Sequence, residues 1–256
     1  MAKKALLVFL SGTKKEILRK LSCALSSFLF EPKIISRESF LDSGLDLKAF
    51  SLIITVGGDG TFLAVAQKNK NAPMLGVNPD PSEREGFFCR ATLSDFNSKI
   101  KRIASGNFRI INLARLSCSI NNKLLPPSLN EVFFGPEKSY HPCRYILYSG
   151  RKREHQRSSG IIVSTPAGSH AWLSSAGGKK LPLSSDKVQF VVREPYSGKL
   201  SSSKMIRGFS QKVKIVPVGN FRKITVAVDS LFEVPVKNLD KIMIKKSELP
   251  LKFIEF

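Results

Sequence analysis

The distribution of apolar and polar positions divides this chain of 256 residues into two parts. Up to about residue 105, short apolar runs alternate with segments whose apolar residues recur at helical spacing. The run Leu52–Val56 is rich in β-branched residues, as buried parallel strands are, whereas Lys14–Phe28 carries an apolar helical face. This alternation predicts a parallel sheet covered by helices on both faces.

The first part contains four predicted strands and three predicted helices. The strands are Ala5–Leu10, Lys33–Ser36, Leu52–Val56 and Met74–Val77. The helices are Lys14–Phe28, Thr61–Lys68 and Leu93–Ala104. The loop Asn78–Phe88 follows the carboxyl end of a strand, so it either folds over a ligand site there or is a plain surface loop.

From about Phe108 the pattern changes to β-structure. Residues 109–120 alternate in polarity and precede a predicted tight turn at Asn121-Asn122. Five further strands are predicted: Arg144–Ser149, Ile161–Ser164, Lys187–Arg193, Lys212–Val218 and Lys223–Val228. We therefore predict an α/β domain over residues 1–105 and a β-rich domain over residues 106–239, with the segment from about 240 to 256 returning to the first domain.

Composition is that of a globular protein, with 42% apolar residues and a mean hydropathy of -0.05. No apolar run approaches the roughly 20 residues that cross a bilayer. The apolar run near the N-terminus is shorter than the core of about 7–15 residues in a signal peptide. We expect a cytoplasmic protein whose four scattered cysteines are reduced, and the spacing of cysteines and histidines predicts no protein metal site.

The net charge of +21 suits a polyanionic partner such as a nucleic acid, an anionic membrane or phosphorylated small molecules. The lysines and arginines are nevertheless spread along the whole chain, and the densest group is Arg151–Arg153 with Arg157. Charge by itself therefore does not separate these partners from a merely solvated basic surface.

The stretch Gly57–Thr61, with the sequence GGDGT, is the main chemical candidate of the first part. A strand, a glycine turn and a helix place backbone N–H groups and a helix N-terminus against a phosphate. Gly57, Gly58 and Gly60 leave no Cβ to block that approach. Asp59 would take a proton from an attacking hydroxyl or hold a metal. The alternative is an ordinary glycine turn whose Asp caps a helix.

Two stretches of the second part also carry candidate chemistry. Asn130-Glu131 places an amide and an acid directly before a strand, although a turn with a surface Glu would look the same. Over residues 158–178, a strand leads into a turn rich in hydroxyls and glycine and then into a short helical segment. Such groups suit ribose and phosphate oxygens. Trp172, the only tryptophan, would stack on a base or else belong to the core.

Taken together and in this order, these stretches resemble the NAD kinase family. The marks of the family are GGDGT, an Asn-Glu pair, and a segment of the form STPTGSTAY followed by SAGG. Here they stand as Gly57–Thr61, Asn130-Glu131, Ser164–Trp172 and Ser175–Gly178. GGDGT also occurs in diacylglycerol and sphingosine kinases, but the later segment argues against those.

Some details narrow the resemblance and others depart from it. The loop over residues 76–86 and the segments Ser158–Gly160, Gly168–Trp172 and Arg193–Pro195 resemble the mitochondrial type of NAD kinase. Four positions depart from the family pattern: Ser159 for Asp, Ala167 for Thr, His170 for Thr and Trp172 for Tyr. Because these positions line the dinucleotide pocket in the family, the contacts at the nicotinamide end and the choice between NAD and NADH are left open.

The resemblance implies a fold and a reaction. The fold is an α/β N-terminal domain with a parallel sheet, as in NAD and diacylglycerol kinases, plus a β-rich C-terminal domain, a β-sandwich. The reaction moves the γ-phosphoryl group of ATP to the 2′-hydroxyl of the adenosine ribose of NAD, giving NADP, with Mg²⁺ or another divalent cation bound with ATP. The residues support this, since phosphoryl transfer needs positioning, charge neutralisation and a group that orients the attacking hydroxyl.

The predicted site follows from the same resemblance, with Asp59 as the base for the attacking hydroxyl. In the first domain, the residues predicted to bind substrate or nucleotide are Gly57, Gly58, Gly60, Thr61 and Leu63. In the second domain they are Asn130, Glu131, Ser159, Ala167, Ser169, His170, Ala171, Trp172, Ser175 and Asp229. Asn130 and Glu131 would hydrogen-bond adenine or ribose hydroxyls, and Asp229 aligns with an Asp of the family's second domain.

The expected partners are NAD and ATP in a homodimer or homotetramer, without nucleic acid and without a membrane. One alternative is a lipid kinase that shares GGDGT and is drawn to anionic membranes by its basic surface. Another is a non-catalytic nucleic-acid-binding protein, which would explain the charge more directly and whose retention on DNA would fall steeply with salt. No helix-turn-helix, RNA-binding aromatic motif or zinc pattern in the sequence supports this last alternative.

Overall fold

The computed structural model describes residues 3–138, 140–198, 201–219 and 223–256 and divides into two compact units. Unit 1 comprises Met1–Asn112 and Leu251–Phe256, and unit 2 comprises Leu113–Pro250. The first boundary thus lies at 112 rather than 105, because the segment from Arg109 pairs into the sheet of unit 1. Only the last six residues return to unit 1, not the whole segment from about 240. Alternating polarity predicts a strand but does not say which sheet it joins.

Strands β1–β21 and helices α1–α5 are numbered in chain order. The strands of unit 1 are β1 (Lys3–Phe9), β2 (Phe30–Ser36), β3 (Leu52–Val56), β4 (Met74–Asn78), β5 (Cys89–Thr92), β6 (Arg109–Leu113) and β21 (Leu251–Glu255). Its helices are α1 (Lys15–Ser27), α2 (Arg37–Asp42), α3 (Asp59–Lys68) and α4 (Phe96–Ala104), with a 3₁₀ turn over Leu47–Ala49. The strand order is β2-β1-β3-β4-β21-β6, and β5 also pairs with β4.

The middle of this sheet positions the predicted chemistry of unit 1. Every residue of β3 and β4 is buried, as their apolar sequences predict. These two strands pair in parallel, with Val56 opposite Val77. The segments that follow them, the glycine turn and the loop from Asn78, therefore start at the same edge of the sheet, which is where open α/β sheets bind ligands.

Unit 2 consists mainly of antiparallel strands. They are β7 (Leu116–Ile120), β8 (Lys123–Leu124), β9 (Glu131–Pro136), β10 (Cys143–Ser149), β11 (Lys152–Ser158), β12 (Ile161–Ser164), β13 (Gln189–Val192), β14 (Ser197–Gly198), β15 (Ser201–Ser202), β16 (Arg207–Phe209), β17 (Lys212–Pro217), β18 (Ile224–Val228), β19 (Phe232–Val236) and β20 (Ile242–Lys246). The 3₁₀ turn Gly168–His170 and the short helix α5 (Trp172–Ser175) follow β12.

Two six-stranded sheets of unit 2 enclose its core. One sheet has the order β11-β10-β17-β20-β7-β8 and the other β16-β13-β12-β9-β18-β19. Side chains of both sheets meet between them, as where the fully buried rings of Phe134 and Tyr145 pack edge to face with centroids 5.1 Å apart. An α/β unit with a mostly parallel sheet and a β-sandwich confirm the predicted fold class. No helix in the described part of the chain has the length and apolar character that crossing a bilayer requires.

Candidate active site

In unit 1, GGDGT forms the turn between β3 and α3. Asp59 is the first residue of α3, and Gly57 and Gly58 precede it. Gly57 has a φ of +153°, and a Cβ there would lie 2.7 Å from Oγ1 of Thr61, so the turn needs glycine at this position. Thr61 and Leu63 are buried within α3, whereas Gly60 is exposed. The helix N-terminus at this edge of the sheet favours a bound anion.

The carboxylate of Asp59 holds the end of the loop that follows β4. Its Oδ2 accepts the N–H of Phe87 at 3.1 Å and its Oδ1 accepts the N–H of Phe88 at 2.8 Å. The loop thus lies against Asp59, which favours the first of the two alternatives for this segment. An ionised carboxylate has about four acceptor sites, so both oxygens keep the capacity to accept a substrate hydroxyl.

Asn78 is a site residue that the sequence reasoning missed. It is 4% exposed, its Oδ1 accepts the N–H of Asp80 at 3.0 Å, and its Nδ2 donates to the carbonyl of Arg84 at 2.8 Å. These two hydrogen bonds shape the loop that Asp59 anchors. The Asn-Pro-Asp sequence directly after a strand is a turn signal that could have identified it.

Aromatic packing fixes the end of the loop at Phe88, and the neighbouring thiol of Cys89 is not reactive. The rings of Phe88 and Phe62 stack with centroids 4.9 Å apart, and both meet the ring of Phe253 edge to face. Burial, and then the negative charge of Asp59, raises the pKa of the Cys89 thiol to about 12. Cys89 is therefore a protonated packing residue at neutral pH.

In unit 2, the turn that contains Asn130 and Glu131 is organised by Asp229. Oδ1 of Asp229 accepts the hydroxyl of Ser128 at 2.6 Å and the N–H groups of Asn130 and Glu131 at 2.8 and 3.1 Å, and Oδ2 accepts the N–H of Leu129 at 2.8 Å. Burial raises the pKa of Asp229, and these four hydrogen bonds oppose that shift. These four hydrogen bonds give Asp229 a positioning role in the turn, and its predicted contact with nucleotide stays a prediction.

The segment after β12 packs onto this turn. Oγ1 of Thr165 donates to the carbonyl of Leu129 at 2.6 Å, and Oγ of Ser164 donates to the carbonyl of Asn130 at 3.1 Å. A Cβ at Gly168 would lie 2.2 Å from that carbonyl oxygen of Asn130, so only glycine allows the close approach. The hydroxyls of Ser128 and Thr165 were missed by the sequence reasoning, since no local pattern marks a buried hydroxyl as a scaffold.

Two side-chain atoms of the turn are buried without a protein partner. Oδ1 of Asn130 and Oε2 of Glu131 have no hydrogen bond within the described ranges of the chain. Most buried polar atoms have a partner, so a ligand group is the natural complement of both. Burial, and then the negative charge of Asp229, raises the pKa of Glu131 to about 8. At neutral pH Glu131 is therefore largely protonated and able to donate a hydrogen bond.

This pKa makes stability depend on pH. The folded value of about 8 lies above the ordinary value of 4.5, so the folded state binds more protons between these limits, and the free energy of unfolding should fall as pH rises from about 4.5 to about 8. Glu131→Gln should flatten this decrease in urea unfolding at pH 5, 6.5 and 8, whereas Glu137→Gln, at an exposed position, should not. Equal slopes for wild type and Glu131→Gln would contradict the raised pKa.

The remaining predicted residues of unit 2 lie on either side of β12 in the chain, with Ser159 before it and the others after it. Ala167 and Ser169 are buried, Ala171 is half-buried, and His170 and Ser175 are exposed. All five come after β12 in the chain, and Nε2 of His170 lies 2.8 Å from the carbonyl oxygen of Leu181. Ser159 lies at the other end of β12, since Ile161 pairs with Phe134 and Ser164 with Glu131. The N–H of Ser159 donates to the carbonyl of Arg193 at 3.1 Å, so Ser159 adjoins the cavity that Arg193 and Ser175 line.

Trp172 forms part of a small cavity. The residue is 36% exposed, its ring centroid lies 5.1 Å from that of Phe133, and the guanidinium of Arg193 lies 5.2 Å from the Trp172 centroid. Trp172, Arg193, Ser175 and Arg207 are among the residues that line a cavity of about 310 Å³. The side chain of Trp172 is thus partly exposed in the cavity, where a ligand is able to contact it.

The fold and these sites are those of a phosphotransferase. Its glycine turn, helix N-terminus and carboxylate suit a phosphorylated nucleotide. The model of the ATP-NAD kinase N-terminal domain matches residues 21–108, and that of the ATP-NAD kinase C-terminal domain matches residues 117–256. The chain therefore belongs to the ATP-NAD kinase family. ATP-dependent NAD kinase activity follows from that membership, whereas the narrower likeness to the mitochondrial type stays a prediction.

Individual relatives and structures agree with this assignment. The chain is 31% identical to an NAD kinase of Thermoplasma acidophilum over 85% of this chain and 79% of that one. It is 34% identical to a probable NADH kinase of rice over 61% of this chain and 55% of that one. Two solved structures share the fold. An Archaeoglobus fulgidus NAD kinase in complex with ATP superposes with a TM-score of 0.77 at 24% identity, over 98% of this chain and 92% of that one. The yeast NADH kinase complexed with NADH superposes with a TM-score of 0.79 at 17% identity, over 100% of this chain and 84% of that one.

Proposed function

We propose that the chain transfers the γ-phosphoryl group of ATP to the 2′-hydroxyl of the adenosine ribose of NAD, and that Asp59 accepts the proton of that hydroxyl. The observation that carries this proposal is the carboxylate of Asp59, held at the glycine turn by two backbone N–H groups. As the bond from the 2′-oxygen to the γ-phosphorus forms, the bond from that phosphorus to the bridging oxygen of ADP breaks. The products are NADP and ADP, with the proton on Asp59.

The glycine turn would bind phosphate oxygens of the substrates. We assign this role to the backbone of Gly57, Gly58 and Gly60, with Thr61 and Leu63 next to them in α3. We also propose that Mg²⁺ or another divalent cation binds with ATP. A carboxylate together with phosphate oxygens is the donor set that Mg²⁺ takes, and Asp59 is the carboxylate of this turn. When bound, the cation neutralises charge on the phosphate oxygens.

The dinucleotide would be bound by unit 2. Asn130 and Glu131 are assigned to adenine and ribose, a role supported by their two buried atoms without a protein partner. Ala167, Ser169, His170, Ala171 and Trp172 would form the wall of this pocket, within reach of Ser175. Asp229 and Gly168 support the proposal indirectly, because they position the turn that contains Asn130.

Trp172→Ala should weaken NAD binding if the ring stacks on a base. Such stacking contributes about 1–3 kcal/mol, so we expect the KM for NAD to rise roughly 5- to 150-fold with little change in kcat. Trp172→Tyr should retain most of the affinity. As the only tryptophan, Trp172 should also report NAD binding through its fluorescence. Phe209→Ala is a matched control, because it too is exposed and faces a cation, Lys187. Equal KM values for Trp172→Ala and wild type would remove the ring from the pocket.

The reaction itself is tested by a coupled assay with the purified chain, ATP, Mg²⁺ and NAD. NADP formation, measured through an NADP-specific dehydrogenase, is the expected result. A parallel reaction with NADH as acceptor establishes the preference that the departures at Ser159 and Ala167 leave open, and one with polyphosphate as donor tests the phosphoryl donor. If none of these pairs reacts and diacylglycerol or a sphingoid base in vesicles is phosphorylated instead, the lipid kinase alternative holds.

We further propose a homodimer or homotetramer in the cytoplasm. The family resemblance supports the oligomer, and the short apolar run at the N-terminus supports the cytoplasm. Light scattering of the protein as it elutes from a size-exclusion column measures the oligomeric state directly. A single species with the mass of one chain would overturn the proposed homodimer or homotetramer.

A further inference from the structure

The sheet β11-β10-β17-β20-β7-β8 gathers cations on the face that points away from the core. Tyr145, Leu147 and Ile215 are core residues, so the alternate positions of their strands point outward. Six of the outward positions carry permanent cations: Arg144, Arg153, Arg157, Lys212, Lys214 and Lys245. They come from four adjacent strands, and we call this surface the basic face.

The basic face contains no compensating acid. None of its six cations forms an ion pair with a carboxylate in the described part of the chain. Two like-charged pairs stand directly opposite each other, Arg144 with Arg157 and Lys212 with Lys245. Like charges in this position destabilise a sheet. A polyanion bound on this face would remove that repulsion.

Aromatic rings lie among these cations. The centroid of the Tyr148 ring is 4.8 Å from Nζ of Lys214 and 5.9 Å from the guanidinium of Arg153. The guanidinium of Arg157 lies 4.4 Å from the ring centroid of Tyr196, which is 45% exposed. Single-stranded nucleic acids are bound by this combination, with phosphates on cations and bases stacked on aromatic rings, and some RNA-binding modules present it on a sheet.

The burial of the apolar residues on the basic face favours single-stranded nucleic acid over a membrane as its partner. Peripheral membrane binding buries apolar side chains among the lipids. On the basic face Ile146 is only 9% exposed, and Val216 and Met243 are partly buried. The four strands of the basic face therefore present charge and aromatic rings, and the exposed Leu124 on the same side of the sheet lies at its edge in β8.

We propose that the basic face binds single-stranded nucleic acid, through contacts of its cations with phosphates and of Tyr148 with a base. This activity goes beyond NAD phosphorylation and does not depend on it. It also departs from the expectation that no nucleic acid binds, which was based on the lack of a helix-turn-helix, an RNA-binding aromatic motif and a zinc pattern in the sequence.

The test is fluorescence anisotropy of a labelled uridine dodecamer with the full chain in increasing salt. We expect a Kd in the micromolar range at about 50 mM salt and a steep loss of affinity as salt rises. The double variant Arg144→Glu with Lys212→Glu should bind at least about tenfold more weakly. Its slope of log K against log salt should be shallower by roughly 1.4, at about 0.7 per lost phosphate contact.

The double variant should fold, because each Glu faces a cation, Arg157 or Lys245, and replaces a repulsive pair by an attractive one. Its thermal midpoint should equal or exceed that of wild type. A matched control, Lys14→Glu with Lys15→Glu, changes the net charge equally at an exposed helix start in unit 1 and should bind like wild type. Tyr148→Leu should weaken binding severalfold at unchanged charge.

Three results would overturn the proposal. The first is no anisotropy change at about 50 mM salt. The second is equal affinity of the face variant and the control, which would mean that binding follows net charge alone. The third is binding of the wild type, but not the face variant, to phosphatidylserine vesicles without any binding of the oligonucleotide, which would assign the face to membranes.

Discussion

Asp59→Asn is expected to lower kcat by about 10³-fold or more while the Kd for NAD changes at most a few-fold. The amide keeps the shape of the side chain, and its oxygen is able to accept the N–H of Phe88 as Oδ1 does now. It takes no proton from the 2′-hydroxyl, however, and it attracts a cation less than a carboxylate does. The coupled NADP assay measures kcat, and the fluorescence of Trp172 measures NAD affinity.

Asp80→Asn is the control for this experiment. Asp80 is an exposed acid of the same loop, with a carboxylate that accepts the hydroxyl of Ser82. Its loss removes the same charge from unit 1 and should leave kcat near the wild-type value. If Asp59→Asn kept most of its turnover, Asp59 would not be the base, and the role of the glycine turn would reduce to phosphate binding.

Asp229→Ala is expected to have the largest effect on stability, with a loss of about 4 kcal/mol or more. It leaves one hydroxyl and three backbone N–H groups of the 128–131 turn without their acceptor, at about 1–3 kcal/mol for each buried group. It also removes a negative charge that favours the charged form of buried Arg115, whose pKa burial lowers to about 10. Because the turn contains Asn130 and Glu131, NAD binding should be lost with it. Urea unfolding and NAD titration measure the two effects.

Two further variants separate position from chemistry. Asp240 also accepts two hydrogen bonds, from Asn121 and Lys237, but it is only half-buried, so Asp240→Ala should cost about 1 kcal/mol or less. Asp229→Asn restores one good acceptor and should lie between Asp229→Ala and wild type in both stability and NAD affinity. If Asp229→Asn matched wild type in its free energy of unfolding and its NAD affinity but had no turnover, Asp229 would act in the reaction itself, and the positioning role would be wrong.

Local patterns predicted the elements well where burial is uniform. The apolar runs of β3 and β4 lie in the middle of a parallel sheet, helical spacing identified α1, and helix-compatible residues after the glycine turn identified α3. The assignment of strands to domains was less successful at β6 and β20. Both mix apolar and polar residues like their neighbours, but β6 joins the sheet of unit 1 and β20 a sheet of unit 2. Polarity reports which side of a strand is buried and not which strand lies beside it.

The amino-acid sequence by itself determined the fold class, the glycine turn with Asp59 and the Asn130-Glu131 pair, because these depend on residues that are neighbours along the chain. Only the tertiary structure decided that Asp229 positions the Asn130 turn, since that hydrogen bond joins residues 99 positions apart. The same holds for the basic face. Its cations are dispersed between Arg144 and Lys245, and only the register of four strands brings them onto one surface. Register follows from pairing and core packing across the whole unit, which no local pattern contains.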